Sequence, residues 1–132
     1  MKVEAPCSVG DLLDRITILR IKIQRCSAGQ AANVGVELRA LARLWATEEP
    51  EMAELSSVNQ ALWDVEDRLR AAEAAGVFDH AFIADARSVY RLNDLRASLK
   101  RAINLRLGSA LVEEKVHPHY AVGPSSGPTE TP

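Results

Sequence analysis

The stretch VGDLLDRITILRIKIQR near the start of the chain is apolar on two opposite sides once wound as a helix, and few folds accommodate that. Val9, Leu12, Ile16, Leu19 and Ile23 recur at helical spacing within one narrow arc, while Ile18 and Ile21 lie across from them. A peripheral helix of a monomer would leave that second pair in water, so the segment predicts either the central helix of a bundle or half of a dimer interface. Its start is marked by Ser8, three residues before Asp11, which has the spacing of a capping box with Asp replacing the usual Glu or Gln. The run ITILRIKI also alternates like a strand, but the longer periodicity and the cap favour helix.

The rest of the chain reads as three more helices. Ser27, Ala28 and Gly29 form a break, and a second helix is expected from about residue 31 or 33 to 46, with Val34, Leu38, Leu41 and Trp45 as its stripe. TEEPE follows, with Pro50 suited to a first helical turn and Glu48, Glu49 and Glu51 to the positive end of a helix. The third helix carries a seam of Leu55, Val58, Leu62, Val65 and Leu69 and stops before Gly76. Asp79 caps the fourth and longest helix, whose pattern runs from Phe82 through Ala86, Val89, Leu92, Leu99 and Ile103 to Leu107, ahead of Gly108. A turn near residues 75 to 78 makes helices 3 and 4 an antiparallel hairpin. The fold class is therefore all-α, a four-helix bundle, with one domain over residues 1–116 and an extended or disordered tail over 117–132.

Helices 3 and 4 also carry polar ladders beside their seams. Asn59, Trp63, Glu66 and Arg70 follow one another at helical steps on the first, and Asn93, Arg96, Lys100 and Asn104 on the second. Unpartnered burial of such groups costs about 2–7 kcal/mol each when neutral and more when charged, so facing ladders imply a mutually satisfied network or a ligand site. With the turn as reference, Trp63 falls level with Tyr90, Glu66 near Arg87, and Asn59 near Asn93 and Asp94. Glu66, flanked by Arg70 and facing Arg87 or Arg96, would stay ionised and orient a ligand rather than act as a base. Trp63 and Tyr90 would form a flat wall, with Asn59, Asn93, Arg96 and Lys100 as donors. The expected ligand-binding set is thus Asn59, Trp63, Glu66, Arg70, Tyr90, Asn93, Arg96 and Lys100; no catalytic residue is assigned.

Other chemistries find less support. Glu51-x-x-Glu54 and Asp64-x-x-Asp67 resemble the paired acids of all-α nucleotide pyrophosphatases, but both pairs fall on one helix with Glu54 and Asp64 about 15 Å apart along its axis, too far to share one magnesium ion. His117-x-His119 has no third ligand near in sequence, so neither a metal nor another cofactor is implied. A helical enzyme of the chorismate-mutase kind, using Arg, Lys and Glu to hold an anionic substrate without metal, shares only residue types with this chain. The 132 residues carry a net charge of -2, and the basic residues of helix 4 wind around it, which argues against nucleic acid. Cys7 and Cys26, without a signal-type apolar run, read as reduced thiols of a cytoplasmic protein, and no apolar stretch is long enough to span a membrane.

Four blocks in order, SVGDLLDRITILRIK, VNQALWDVEDRLR, FIADARSVYRLNDLRASLKRAIN and GSALVEEK, resemble a bacterial family of small helical domains of unknown function, over roughly residues 7 to 116. The LW-x-x-ED-x-x-R block followed by YRLNDLR is also similar to a second uncharacterised helical family with an LWH-x-ED motif. Neither resemblance implies an activity or a catalytic residue. The closer resemblance implies an acidic residue where this chain has Arg20, a departure that counts against any role requiring a carboxylate on helix 1 to face the ladders. The functional expectation is a binding or interaction module, homodimeric through helix 1, whose polar groove takes a small polar ligand or a partner segment. The alternative is a small all-α enzyme, metal-independent or pyrophosphatase-like, acting on a small polar or anionic substrate.

Overall fold

A computed structural model describes residues 1–120 as four helices, α1 (Val9–Arg25), α2 (Ala28–Ala42), α3 (Glu51–Ala75) and α4 (His80–Arg106). The part of the expected tail from residue 121 onward lies outside the described residues. Each boundary has a local cause. Ser8 Oγ accepts from Asp11 N–H at 3.0 Å and starts α1; the Asp11 carboxylate, instead of closing a capping box, pairs with Lys100 at 3.3 Å. Gly76 takes the left-handed conformation (φ 69°) that ends α3, and Asp79 Oδ1 accepts from Phe82 N–H at 3.0 Å to open α4.

The second helix is shifted relative to expectation. It begins at Ala28 because Ser27 is its N-cap, with the Gln30 side chain accepting from Ser27 N–H at 2.9 Å. The break read at Ser27-Ala28-Gly29 is thus a helix start. The helix also ends earlier, where Leu44 N–H turns back to Leu41 O and Trp45 leaves the helix to donate from Nε1 to Glu49 at 3.0 Å.

The two-sided apolarity of α1 is resolved within one chain: α1 packs against α2, α3 and α4. Leu13, Ile16, Leu55 and Ile103 are almost wholly buried at the centre, with Leu12 and Met52 beside them. Each such side chain contributes about 1.5–3 kcal/mol of burial. On the other side, Ile21 is only 5% exposed and Ile18 is half-buried, so the premise that Ile18 and Ile21 need a second copy is removed. The hairpin is antiparallel, since Arg68 meets Asp85 near the turn and Arg106 meets Glu51 at the open end. The C-terminus of α1 reaches the level of Asp64, paired with Arg25, and beyond it Val77, Phe78 and Ile83 at the hairpin tip stay exposed. No helix among the described residues is long and apolar enough to cross a membrane.

Where α1 begins, it lies so close to α4 that a side chain on Gly10 would run into the Lys100 carbonyl oxygen. Gly10 N–H donates to the buried Asn104 Oδ1 at 2.6 Å, and Val9 N–H to Ser109 Oγ at 3.1 Å. Two free donors of the first turn are thereby satisfied. At the opposite edge, Arg106 grips Glu49 and Glu51 at 2.7 Å each, tying the start of α3 to the end of α4.

Candidate functional site

The polar ladders meet on a residue that sequence reasoning did not single out. Asp14 of α1 has a side chain only 1% exposed, directed at both helices of the hairpin. Its carboxylate takes a two-point grip from Arg96, with Nε at 2.9 Å and Nη2 at 2.5 Å. Asn59 Nδ2 donates to the same carboxylate at 2.9 Å and to Thr17 Oγ at 3.0 Å. Thr17 spends its one hydroxyl proton on the Asp14 carbonyl at 2.7 Å, so toward Asn59 it accepts. Both acceptors face the same Asn59 atom, which fixes that atom as the amide nitrogen and turns the carbonyl Oδ1 the other way. Hydrogen bonding to Asp14 holds the Arg96 guanidinium above the ordinary arginine range.

Around Arg96 lie two clefts rather than one groove. The smaller, of about 310 Å³, is an open cleft bordered by α1, α3 and α4 and lined by Ile18, Asn59, Leu62, Trp63, Glu66, Asp67, Arg70 and Arg96. The larger, of about 1280 Å³, lies between α4 and the segment after it; Tyr90, Asn93, Arg96 and Lys100 line it from α4, and Glu113, Lys115 and Tyr120 from the segment. The eight expected residues thus divide: Asn59, Trp63, Glu66 and Arg70 face the first, Tyr90, Asn93 and Lys100 the second, and Arg96 both.

The Trp63–Tyr90 wall therefore does not form. A register argument fixes height along the hairpin but not rotation about each helix, and Tyr90 belongs to the α4 stripe turned toward the C-terminal segment. There it packs edge-on against Tyr120, with ring centroids 5.2 Å apart. Trp63 instead lies beneath Arg25, 5.6 Å from the ring centroid, and Arg25 is steadied by Asp64 at 2.7 Å. Glu66 and Arg70 enter no ion pair among the described residues, so the expected Glu66–Arg87 or Glu66–Arg96 pairing is absent there. The hairpin is bridged two residues nearer the turn, by Arg68 and Asp85 at 3.0 Å.

On the second side the chain's own C-terminal segment supplies the facing wall of the cleft. Lys100, with a side chain 11% exposed, is paired with Glu113 at 2.8 Å as well as with Asp11. Burial pulls the Lys100 ammonium down, but the Glu113 bond and the fields of Asp14, Glu113 and Asp11 outweigh it and leave it raised. Lys115 pairs with Asp94, which also accepts from the Tyr120 hydroxyl at 2.7 Å; these two contacts hold the Asp94 carboxyl below the usual range.

Asp14 supplies from helix 1 the carboxylate that the departure at Arg20 had counted against. Arg20 does point elsewhere, to Glu48 at 3.0 Å, but the acid comes from a position less than two turns earlier. The available signal was the two-sided apolarity of α1: a charge set between two apolar faces has little wet surface to occupy. The paired acids considered for metal are engaged by cations, Glu51 by Arg106 and Asp64 by Arg25. Among the described residues no cluster of three or more His, Cys, Asp or Glu side chains is placed to hold a metal ion.

Among known proteins, the model of one family, described as a family of unknown function (DUF6165), matches residues 1–130. No curated protein and no solved structure matches.

Proposed function

The chain belongs to that family of unknown function, and we propose that it is a non-catalytic binding module whose α1–α3–α4 cleft receives a small polar ligand. One observation carries this reading: Arg96 and Asn59 reach the cleft from a buried network that fixes their orientation before any ligand arrives. Such preorganisation lowers the ordering cost of binding. The cleft volume of about 310 Å³ suits a small molecule, and its apolar walls with a few fixed polar groups have the makeup of a ligand pocket. On the α4 side, Lys100 is already paired with Glu113 of the chain's own segment after Gly108, whereas Glu66 and Arg70 on the Trp63 side enter no ion pair among the described residues.

The test is a thermal-shift screen of polar metabolites against the full chain and against Ile18→Trp, which fills the cleft from its half-buried α1 wall. Ligands that raise the melting temperature of the native protein and not of Ile18→Trp support the reading. A screen in which every stabilising compound acts equally on both proteins overturns it.

A further inference from the structure

The chain after Gly108 is held to α4 by charge and by little else. It turns at Gly108, whose φ is 62°, and Ser109 fixes the exit by donating from its N–H to Asn104 O at 2.8 Å and accepting from Val9 N–H. From there, residues 111–120 run back along α4 as a strap, from Glu113 on Lys100 and Glu114 on Arg101 to Lys115 and Tyr120 on Asp94. Among the described residues, the strap's main chain makes one hydrogen bond, its Leu111 carbonyl accepting from Ser109 Oγ, and none to α4. Its apolar groups give little grip: Leu111 and Val116 are exposed, Val112 is half-buried, and Tyr120 alone meets a ring, that of Tyr90. The Glu113 and Glu114 side chains are 63% and 72% exposed, so salt screens their pairs. A segment attached in this way can lift while the helices beneath it stay intact.

What the strap covers suits a chain better than a small molecule. The cleft between strap and helix, about 1280 Å³, exceeds the ~300–1,000 Å³ usual for small-ligand pockets, and its α4 wall extends from Val89 to Asn104, about 22 Å along the axis. About seven extended residues span that length. With the strap lifted, Arg101 keeps no acid partner among the described residues, Lys100 keeps only Asp11, and Asp94 loses both its contacts. The bare face then shows two cations at one level and a carboxylate nearly two turns nearer the hairpin turn. Glu113, Glu114 and Lys115 show what complements it, two acids followed by a base in an extended chain.

We propose that this face of α4 is a docking surface for an extended acidic segment of another protein, and that the strap is its autoinhibitory occupant. Glu113 and Glu114 hold Lys100 and Arg101 until a competing segment displaces them. A second copy of the strap would make the same contacts without the advantage of the tether, so it loses to the chain's own. A partner segment can do better, because Asn93 and Arg96 also line the cleft and make no hydrogen bond to the strap.

The probe is a capped peptide with the strap's own sequence, LVEEKVHPHY, and its control is LVQQKVHPHY. Amide signals of the full-length, nitrogen-labelled chain are followed by NMR in the native protein and in Glu113→Gln/Glu114→Gln, whose exposed substitutions leave the helices unchanged. The probe is expected to shift the Lys100 and Arg101 signals and to bind the double variant at least about tenfold more tightly than the native chain, since the native strap competes for the face. The control peptide should bind at least about tenfold more weakly than the probe, and raised salt should weaken the probe. Equal affinity for the two proteins overturns autoinhibition, and equal affinity of the two peptides overturns recognition of acids. No binding to the double variant overturns the docking surface itself. A double variant that dimerises in sedimentation instead of taking the peptide assigns the face to a second copy and likewise overturns the proposal. None of these outcomes bears on the α1–α3–α4 cleft, whose test is separate.

Discussion

Replacing Arg96 by Met should destabilise the protein far more than loss of a surface ion pair. The Asp14 carboxylate is 1% exposed and the Arg96 side chain 29%, so the two ends of the pair differ in their access to water. Without the guanidinium, a buried carboxylate would be left with hydrogen bonding from Asn59 and the field of Lys100 but no cation in contact. Breaking a buried pair in this way costs about 3–5 kcal/mol. Total stability for a domain is about 5–15 kcal/mol, so the variant would lose a large share of it while remaining measurable. At about 3–5 °C per kcal/mol for a chain of this size, the melting temperature should fall by roughly 10–20 °C. Removing the other partner should cost less, because Arg96 can turn its partly exposed head to solvent. The double variant Asp14→Asn/Arg96→Met should then be more stable than Arg96→Met alone, with a coupling of at least about 1.5 kcal/mol. Urea unfolding followed by far-ultraviolet circular dichroism measures all four corners of the cycle. A cost below about 1 kcal/mol for Arg96→Met, the range of exposed pairs, would refute the claim that this carboxylate depends on its cation.

Gly10→Ala tests the close approach of α1 and α4. Helix propensity alone favours Ala by about 1 kcal/mol, but the added methyl meets the Lys100 backbone, so a net loss of about 1–3 kcal/mol is expected in urea unfolding. Arg106→Gln addresses acid sensitivity. Bonds from Arg106, helped by Trp45 at Glu49, hold the Glu49 and Glu51 carboxyls low, so their contribution is complete above the unfolded carboxyl range near pH ~4.3 and is lost as pH falls through the lower folded values. Melting temperatures of the native chain and Arg106→Gln should therefore differ most at neutral pH and converge below about pH 4. Asp79→Ala removes the α4 cap and should cost about 0.5–2 kcal/mol, read from the same unfolding curves.

The helices were legible because their signals are local. Ser8, Gly76 and Asp79 act within a few residues of themselves, and Ile18 and Ile21, facing away from the main stripe, narrowed α1 to the centre of a bundle or half of a dimer interface. Ser27 was misread because a Ser-Ala-Gly run signals a break and a helix start equally well; Gln30, three residues on, was the mark that decided it. The site was legible in part for a different reason. That the ladders converge could be read from spacing, and Asn59 and Arg96 do converge on one carboxylate. Which faces converge could not, because the rotation of each helix is set by all its contacts together. Hence Tyr90 turns to Tyr120 while Trp63 stays under Arg25.

Asp14 also bears on why the core tolerates charge at all. A buried ion pair is weak support for stability, since apolar residues of similar volume often serve as well or better. What they cannot supply is direction. Asp14 binds α3 through Asn59 and α4 through Arg96 at the same time, so a slip of either helix by one turn, about 5.4 Å, would break its bonds on that side. The carboxylate thus pins both helices of the hairpin to α1.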